Sequence, residues 1–160
     1  MSSLAAAAAA VAANAVGDGI DIVASAKASA AELRLDYQDL AEIAYKGGLF
    51  HGQLPEAIQQ RTSLLALGLQ RAGMSFLPAI SHLRLLAVLD VSCNCLITLP
   101  SIISELQQLE IIDCSDNKLQ GLPSSLFTLT MLKQLIAYKN SIVKLDEAVN
   151  QLTRLQDINL

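Results

Sequence analysis

The sequence is poor in charged and aromatic residues, and both shortages limit what the chain can do. Only 16% of its 160 residues are charged, and it has no Trp, three Tyr and three Phe. An ordinary soluble domain carries roughly 25% charged residues. Part of the shortage comes from the first 31 residues, 14 of which are the weakly apolar Ala. No run approaches the roughly 20 strongly apolar residues of a spanning helix, so we predict no membrane segment.

Basic residues are too few and too scattered for a nucleic-acid-binding protein. The chain has 11 Lys and Arg against 15 Asp and Glu, which gives a net charge of −4. Proteins that hold nucleic acid by its phosphates need clustered basic side chains, and no window of this sequence supplies them. The composition therefore excludes nucleic acid as the expected partner.

Cysteine is also scarce, and its number bears on the compartment. Three Cys residues form no disulfide framework, which favours a reducing, cytoplasmic environment. The first four residues carry no basic side chain, and Asp18 and Asp21 precede the first Arg, Arg34. Neither a secretory signal nor a transit peptide is expected from such a beginning.

What the chain does contain is an internal repeat. Asn94, Asn117 and Asn140 are each 23 residues apart, and seven apolar positions recur with the same step. The columns are Leu86, Leu109, Leu132 and Leu155; Leu89, Ile112, Leu135 and Ile158; Val91, Cys114, Ala137 and Leu160; Leu96, Leu119 and Ile142; Leu99, Leu122 and Leu145; Ile103, Leu126 and Val149; and Leu106, Leu129 and Leu152. Such a unit cannot bury its apolar face alone, so neighbouring units are expected to stack into a solenoid.

The unit L-x-x-L-x-L-x-x-N-x-L-x-x-L-P-x-x-I-x-x-L-x-x resembles the typical 23-residue leucine-rich repeat of intracellular proteins such as the Ras-group scaffolds. LAVLDVSCNCL at 86–96 and LEIIDCSDNKL at 109–119 carry the resemblance. We expect an α/β solenoid of about four to five coils, with short parallel strands on the concave face and short helical or irregular convex segments. The Asn side chains, Asn94, Asn117 and Asn140, are expected to form a buried ladder that bonds loop backbones.

The repeat phase divides the chain into three parts. Residues 1–29 are an Ala-rich, low-complexity tail, and residues 30–63 combine an amphipathic helix at 30–46 with a degenerate N-terminal repeat that acts as a cap. The competing interpretation makes Leu40, Ile43 and Tyr45 the strand of that degenerate unit. The repeats follow at 64–85, 86–108, 109–131 and 132–154, with a partial unit at 155–160.

No constellation of catalytic or metal-binding residues survives inspection. Cys93, Cys95 and Cys114 lack a fourth ligand, and Cys114 falls in an inward column, where it is expected to pack as a small core residue. No phosphate-binding glycine loop is present. Asp90, Asp113 and Asp157 occupy outward strand positions and are interpreted as a solvated acidic strip. We therefore expect no cofactor, no metal and no enzymatic activity.

The outward strand positions are the candidate protein-binding surface. They combine aliphatic, aromatic and acidic side chains, as protein-contact sites do, and Tyr138 is the best single anchor. The candidates are Val88, Asp90, Ser92, Cys93, Ile111, Asp113, Ser115, Asp116, Gln134, Ile136, Tyr138, Lys139 and Asp157.

The sequence therefore predicts a protein-interaction module or scaffold in intracellular signalling. The resemblance implies a small GTPase, a phosphatase subunit or another signalling protein as the partner. One alternative is that the chain is the repeat segment of a larger cyclase, kinase or ubiquitin ligase, because the pattern breaks off inside a strand at Leu160. That break is expected to expose Leu155, Ile158 and Leu160. An extracellular recognition domain is the third possibility, and it would call for paired Cys caps that the sequence lacks.

Overall fold

One parallel sheet joins the strands of the described part of the chain. The computed structural model describes residues 32–34, 54 and 56–160. Six strands pair in the order of the sequence. They are β1 Glu32–Arg34, β2 Ala66–Gly68, β3 Val88–Asp90, β4 Ile111–Asp113, β5 Gln134–Ile136 and β6 Asp157–Asn159. Each neighbouring pair is parallel, with the same repeat positions side by side. The predicted leucine-rich repeat solenoid is confirmed as the fold.

The first strand corrects the prediction of an amphipathic helix at 30–46. Glu32–Arg34 pairs in parallel with β2, with Leu33 beside Leu67, so the helix is wrong at these three residues. The pattern Leu33-Arg34-Leu35 matches the apolar alternation of the later strands, and pairing to β2 supplies backbone hydrogen bonds that local helix signals do not outweigh. The rest of 30–46, the alternative strand at Leu40, Ile43 and Tyr45, and the Ala-rich tail at 1–29 lie outside the described residues.

The core is a stack of the inward columns. Leu67, Leu89, Ile112 and Leu135 follow one another across four strands, and none of them is exposed. Cys114 is fully buried in the neighbouring column, as its repeat position predicts. Burial, and secondarily the charge of Asp113, raises the pKa of the Cys114 thiol, which therefore stays protonated and packs as a small apolar side chain.

Short helical turns form the side of the solenoid opposite the strands. The 3₁₀ helices are Ser101–Glu105, Ser124–Thr128 and Glu147–Gln151, and a four-residue helix, α1, spans Glu56–Gln59. Pro100 and Pro123 precede the first two with φ of −68° and −67°, and Asp146 takes that place in the third, where its side chain accepts from the Ala148 N–H. Proline suits this position because its φ is fixed there and its missing N–H needs no partner. Within the described residues, no helix is long and apolar enough to cross a bilayer.

The asparagine ladder binds each loop to its neighbours. Asn117 accepts the Leu96 N–H at 2.9 Å and donates to the Val91 and Cys114 carbonyls at 3.0 and 3.1 Å. Asn140 repeats this pattern one coil later, accepting from Leu119 N–H at 2.9 Å. In the first coil, where Ala72 replaces Asn, the Asn94 side chain accepts from both Ala72 and Met74 N–H at 3.0 Å. One amide thus bonds both backbone N–H and backbone C=O groups, which a side chain that only donates or only accepts could not do.

Replacing Asn117 by Ala should lower the free energy of unfolding by about 2–4 kcal/mol, because backbone groups near the core lose their partner. Asn150→Ala is the matched control, since Asn150 is exposed on the last 3₁₀ helix. Urea unfolding followed by circular dichroism measures both. A loss for Asn117→Ala no larger than for Asn150→Ala would contradict the structural role of the ladder.

Candidate protein-binding surface

The predicted surface residues divide into a buried group and an accessible group. The buried group lies on β3 and β4 and at the start of β5: Val88, Asp90, Ile111, Asp113, Ser115 and Gln134. The accessible group lies mainly toward β5 and β6 and at the strand exits: Ser92, Cys93, Asp116, Ile136, Tyr138, Lys139 and Asp157. Sequence position therefore identified the face of the sheet but not how much of it is open.

The expectation of exposed aliphatics is wrong for Val88 and Ile111. They are 2% and 1% exposed, and they form a buried cluster with Ala66 and Ala87 against which Ile136 packs. Adjacent strands lie only about 4.8 Å apart, so branched side chains at the same position of neighbouring strands cover one another. Between β2 and β4 the apolar side chains of this face are therefore buried, and Ile136, which is half-buried, lies at the edge of their cluster.

The expectation of a solvated acidic strip is also wrong for two of its three members. Asp90 and Asp113 are 3% and 8% exposed, whereas Asp157 is exposed. Asp90 accepts from the Ser92 N–H at 3.0 Å and from the Ser92 hydroxyl at 2.7 Å, and Asp113 accepts from the Ser115 N–H at 2.8 Å. In each case a serine donates to the carboxylate two residues earlier, which is the hydrogen bond of an Asx turn. These bonds replace the hydrogen bonds to water that a carboxylate loses when it is buried. Burial still raises the pKa of the Asp113 carboxyl, and the bonds from Ser115 oppose that rise.

A left-handed backbone corner follows each of the strands β2 to β5. Arg71, Cys93, Asp116 and Lys139 have φ between 52° and 58°, and they occupy the same repeat position. Three of their N–H groups donate along the solenoid: Arg71 to the Ser92 carbonyl, Cys93 to that of Ser115 and Asp116 to that of Tyr138. Repeated bonding of this kind holds non-glycine residues in a costly conformation. Cys93, Asp116 and Lys139 therefore lie at the rim of the face rather than on its strands.

Side-chain contacts organise the accessible rim. The Lys139 ammonium lies 5.5 Å from the centroid of the Tyr138 ring, a cation–π distance. The Cys93 thiol donates to the Asp116 carboxylate over 3.6 Å, an exposed contact one coil apart. We call Asp116, Ile136, Tyr138, Lys139 and Asp157 the Tyr138 patch. It joins an aromatic ring and an aliphatic side chain to charges of both signs.

The described residues at the starts of β4 and β5 include one ion pair and one amide oxygen without a partner. The Lys133 ammonium bonds the Glu110 carboxylate at 2.9 Å across two coils. Gln134 is 6% exposed, and its Oε1 has no hydrogen-bond partner among the residues that the structure describes. No group of three or more potential metal ligands occurs in the described part of the chain.

Sequence reasoning overlooked a cavity beyond the patch. Its volume is about 320 Å³, and it is lined by Ala137, Lys139, Asn140, Ile142, Val143, Lys144, Leu145 and Leu160. Val143 is 93% exposed. The repeat register was the available signal, because Ile142 is the equivalent of Leu96 and Leu119, whose N–H groups each donate to an Asn side-chain oxygen of the next coil.

Comparisons with known proteins support the fold and go no further. No protein-family model matches the chain, and a search of curated proteins gives no match. Among solved structures it is similar to a leucine-rich repeat protein of Leptospira interrogans, with a TM-score of 0.69 and 24% identity. The alignment covers 88% of this chain and 33% of that protein, so the chain spans about a third of the length of its structural neighbour.

The burial of Asp113 predicts a pH-dependent stability. Because its pKa is raised in the folded state, the folded protein binds more protons than the unfolded one just above the ordinary Asp value. Asp113 should therefore make a contribution to the wild-type free energy of unfolding that falls as pH rises through this window and stays low above it. Asp113→Asn keeps the acceptor for the Ser115 N–H and should lose this component, so the variant should gain stability relative to wild type from pH 3 to 7.

Urea unfolding at a series of pH values measures the difference. Asp116→Asn is the control, because it removes an exposed carboxylate from the same coil. Parallel pH dependences for the two variants would show that burial of Asp113 has no effect on stability.

Proposed function

We propose that this protein is a non-catalytic interaction module that holds a protein partner on the strand face of its leucine-rich repeat solenoid. The observation that carries the proposal is the Tyr138 patch, an accessible aromatic and aliphatic centre with charged neighbours, set on a parallel sheet. Aromatic side chains with an apolar body and a polar tip are the usual anchors of protein contacts. A solenoid presents such residues in a fixed arrangement, so little ordering is needed when a partner binds.

The buried part of the face supports a contact centred on the later strands. Val88 and Ile111 are closed to a partner, while Ile136 is half-buried and Asp157 is exposed on the next strand. Gln134 pairs with Asp157 in the sheet, and Ile136 lies two residues after Gln134 on the same side of the strand. The contact surface is therefore centred on β5 and β6 and extends to Asp116 at the rim.

The class of partner is proposed from the resemblance of the repeat. The 23-residue unit with an Asn ladder is similar to the typical repeats of intracellular Ras-group scaffolds, and on this basis we place the protein in cytoplasmic signalling. A small GTPase, a phosphatase subunit or another signalling protein is the proposed partner. The Tyr138 patch contains two carboxylates and one ammonium, which suits a partner surface with basic residues around an apolar pocket.

Replacing Tyr138 by Ala together with Asp116 by Asn should reduce partner binding by at least tenfold. The double variant removes the anchor and one rim charge while keeping a residue that tolerates the left-handed corner at 116. Immobilised wild type and variant are compared by quantitative mass spectrometry of the proteins they retain from cytosolic extract, followed by titration of the purified partner.

Gln108→Ala with Thr130→Ala is the control, since both residues are exposed outside the patch. The control should retain the same partners as wild type. Recovery of every partner by the Tyr138 and Asp116 variant at wild-type levels would overturn the proposal.

A further inference from the structure

Gln134 is a buried polar side chain of the strand face whose amide has no partner. It is 6% exposed, its Oε1 is shielded from solvent, and the amide makes no hydrogen bond to a described residue. Asp90 and Asp113, which are also buried on this face, each accept from the serine two residues later. A buried amide without a partner destabilises the free protein, so its presence at a contact surface favours a partner that supplies the missing bond.

The Gln134 amide can present either of its two ends to a partner. Rotation by about 180° about the last side-chain torsion exchanges the oxygen and the nitrogen, and no bond to a described residue opposes that rotation. The main chain of Gln134 is fixed, because its N–H donates to the Glu110 carbonyl at 3.1 Å and the residue lies between Ile111 and Asp157 in the sheet. The charges around the amide therefore decide which end faces a partner.

Carboxylates outnumber ammonium groups on the strand face from β4 to β6. The Lys133 ammonium is bonded to the Glu110 carboxylate at 2.9 Å, so these two charges compensate each other. The other charged side chains of this part of the face are those of Asp113, Asp116, Asp157 and Lys139. Such an excess of negative charge attracts a cation, and a cation that donates hydrogen bonds favours the oxygen end of the amide.

We propose that Gln134 and Asp157 together bind an arginine side chain of the protein partner and so determine which partners the strand face accepts. The two residues are paired in the sheet, and adjacent strands lie about 4.8 Å apart, so their side chains are lateral neighbours. Asp157 is exposed and forms no ion pair with a described residue. The proposal rests on the proposed function, because the arginine belongs to the protein held at the Tyr138 patch.

The guanidinium group suits this pair of acceptors better than an ammonium group does. Its planar fork of five N–H donors serves an amide oxygen on one strand and a carboxylate on the next at the same time, whereas an ammonium is a compact point charge. The aliphatic stem of the arginine lies along Ile136, which is half-buried two residues after Gln134 on the same side of β5.

The first test measures the free protein. Gln134→Met keeps the length of the side chain and removes the unpaired amide, so the midpoint of urea unfolding should rise. Gln120→Met is the matched control, since Gln120 is exposed outside the strand face, and it should leave the midpoint unchanged. A midpoint for Gln134→Met at or below that of wild type would show that the amide stabilises the free fold, which would overturn the proposal.

The second test measures recognition of the cation. The probes are acetyl-Gly-Arg-Gly-amide and the same peptide with citrulline, lysine or glutamate in place of arginine. In nuclear magnetic resonance titrations of the 160-residue chain, the arginine peptide should shift the Gln134 side-chain NH₂ signals saturably, and citrulline, which has the shape of arginine without its charge, should not. The lysine peptide should bind about threefold more weakly than the arginine peptide.

Two variants connect these shifts to the amide. Gln134→Glu should tighten binding of the arginine peptide by about threefold, and Gln134→Met should abolish the saturable shifts of the Ile136 and Asp157 backbone amides. Gln120→Met should bind the peptide as wild type does. Equal shifts with arginine and citrulline, or tighter binding of the glutamate peptide, would overturn the proposal, since the latter result would mean that the NH₂ end of the amide recognises an acceptor.

The partner retained by the immobilised chain separates this proposal from the proposed function. Gln134→Met should lower the affinity for that protein by about tenfold. If the Tyr138 and Asp116 variant loses the partner while Gln134→Met binds it as wild type does, the arginine site is wrong and the strand-face function stands. If both variants retain the partner at wild-type levels, the proposed function itself fails.

Discussion

The structure depends on the side-chain amides of Asn94, Asn117 and Asn140. Each turn between strand and convex segment brings main-chain N–H and C=O groups close to an apolar core, where unpaired polar groups cost free energy. An Asn side chain can donate and accept at once, so a single residue per coil bonds its own loop and the loop before it. The bonds cross from one coil to the next, and for that reason the ladder fixes the stacking of coils as well as the conformation of each.

Stacking in turn decides which residues can take part in recognition. The strands are brought side by side in register, so residues at one repeat position become lateral neighbours. Where these neighbours are Ala66, Val88 and Ile111, the outward side chains close over one another. The same row continues to Gln134 on β5 and Asp157 on β6, where the side chains are polar and Asp157 is exposed. Whether an outward side chain is buried or accessible thus depends on the residues at the same repeat position of the neighbouring strands.

The fold could be predicted from the sequence because its signals are periodic. Inward Leu columns and the Asn column recur with one step, and each recurrence supports the others. The strand at Glu32–Arg34 escaped prediction because its spacing to β2 differs from that step: Glu32 pairs with Ala66, whereas Ala66 pairs with Val88. Without a periodic partner, the alternation Leu33-Arg34-Leu35 competes with helical spacing, and only pairing between distant segments decides between them.

The accessible site was predicted less well, for a physical reason. Alternation along a strand shows the face to which a side chain points, while exposure depends on the size of its lateral neighbours and on local bonds. Asp90 and Asp113 illustrate the second point, since a serine two residues later supplies the hydrogen bonds that make their burial tolerable. Backbone conformation is a further factor: the positive φ of Cys93, Asp116 and Lys139 turns the chain away from the strand face just after the strand ends.

Hydrogen exchange of three backbone amides tests the central role of the ladder most directly. Leu96 and Leu119 N–H are held by Asn oxygens of the following coil, whereas Ile142 N–H has no such partner in the described chain. In exchange followed by nuclear magnetic resonance, the first two should be protected and Ile142 should exchange much faster. Asn117→Ala should remove the protection of Leu96 before that of Leu119. Equal exchange at Leu96, Leu119 and Ile142 would contradict the account.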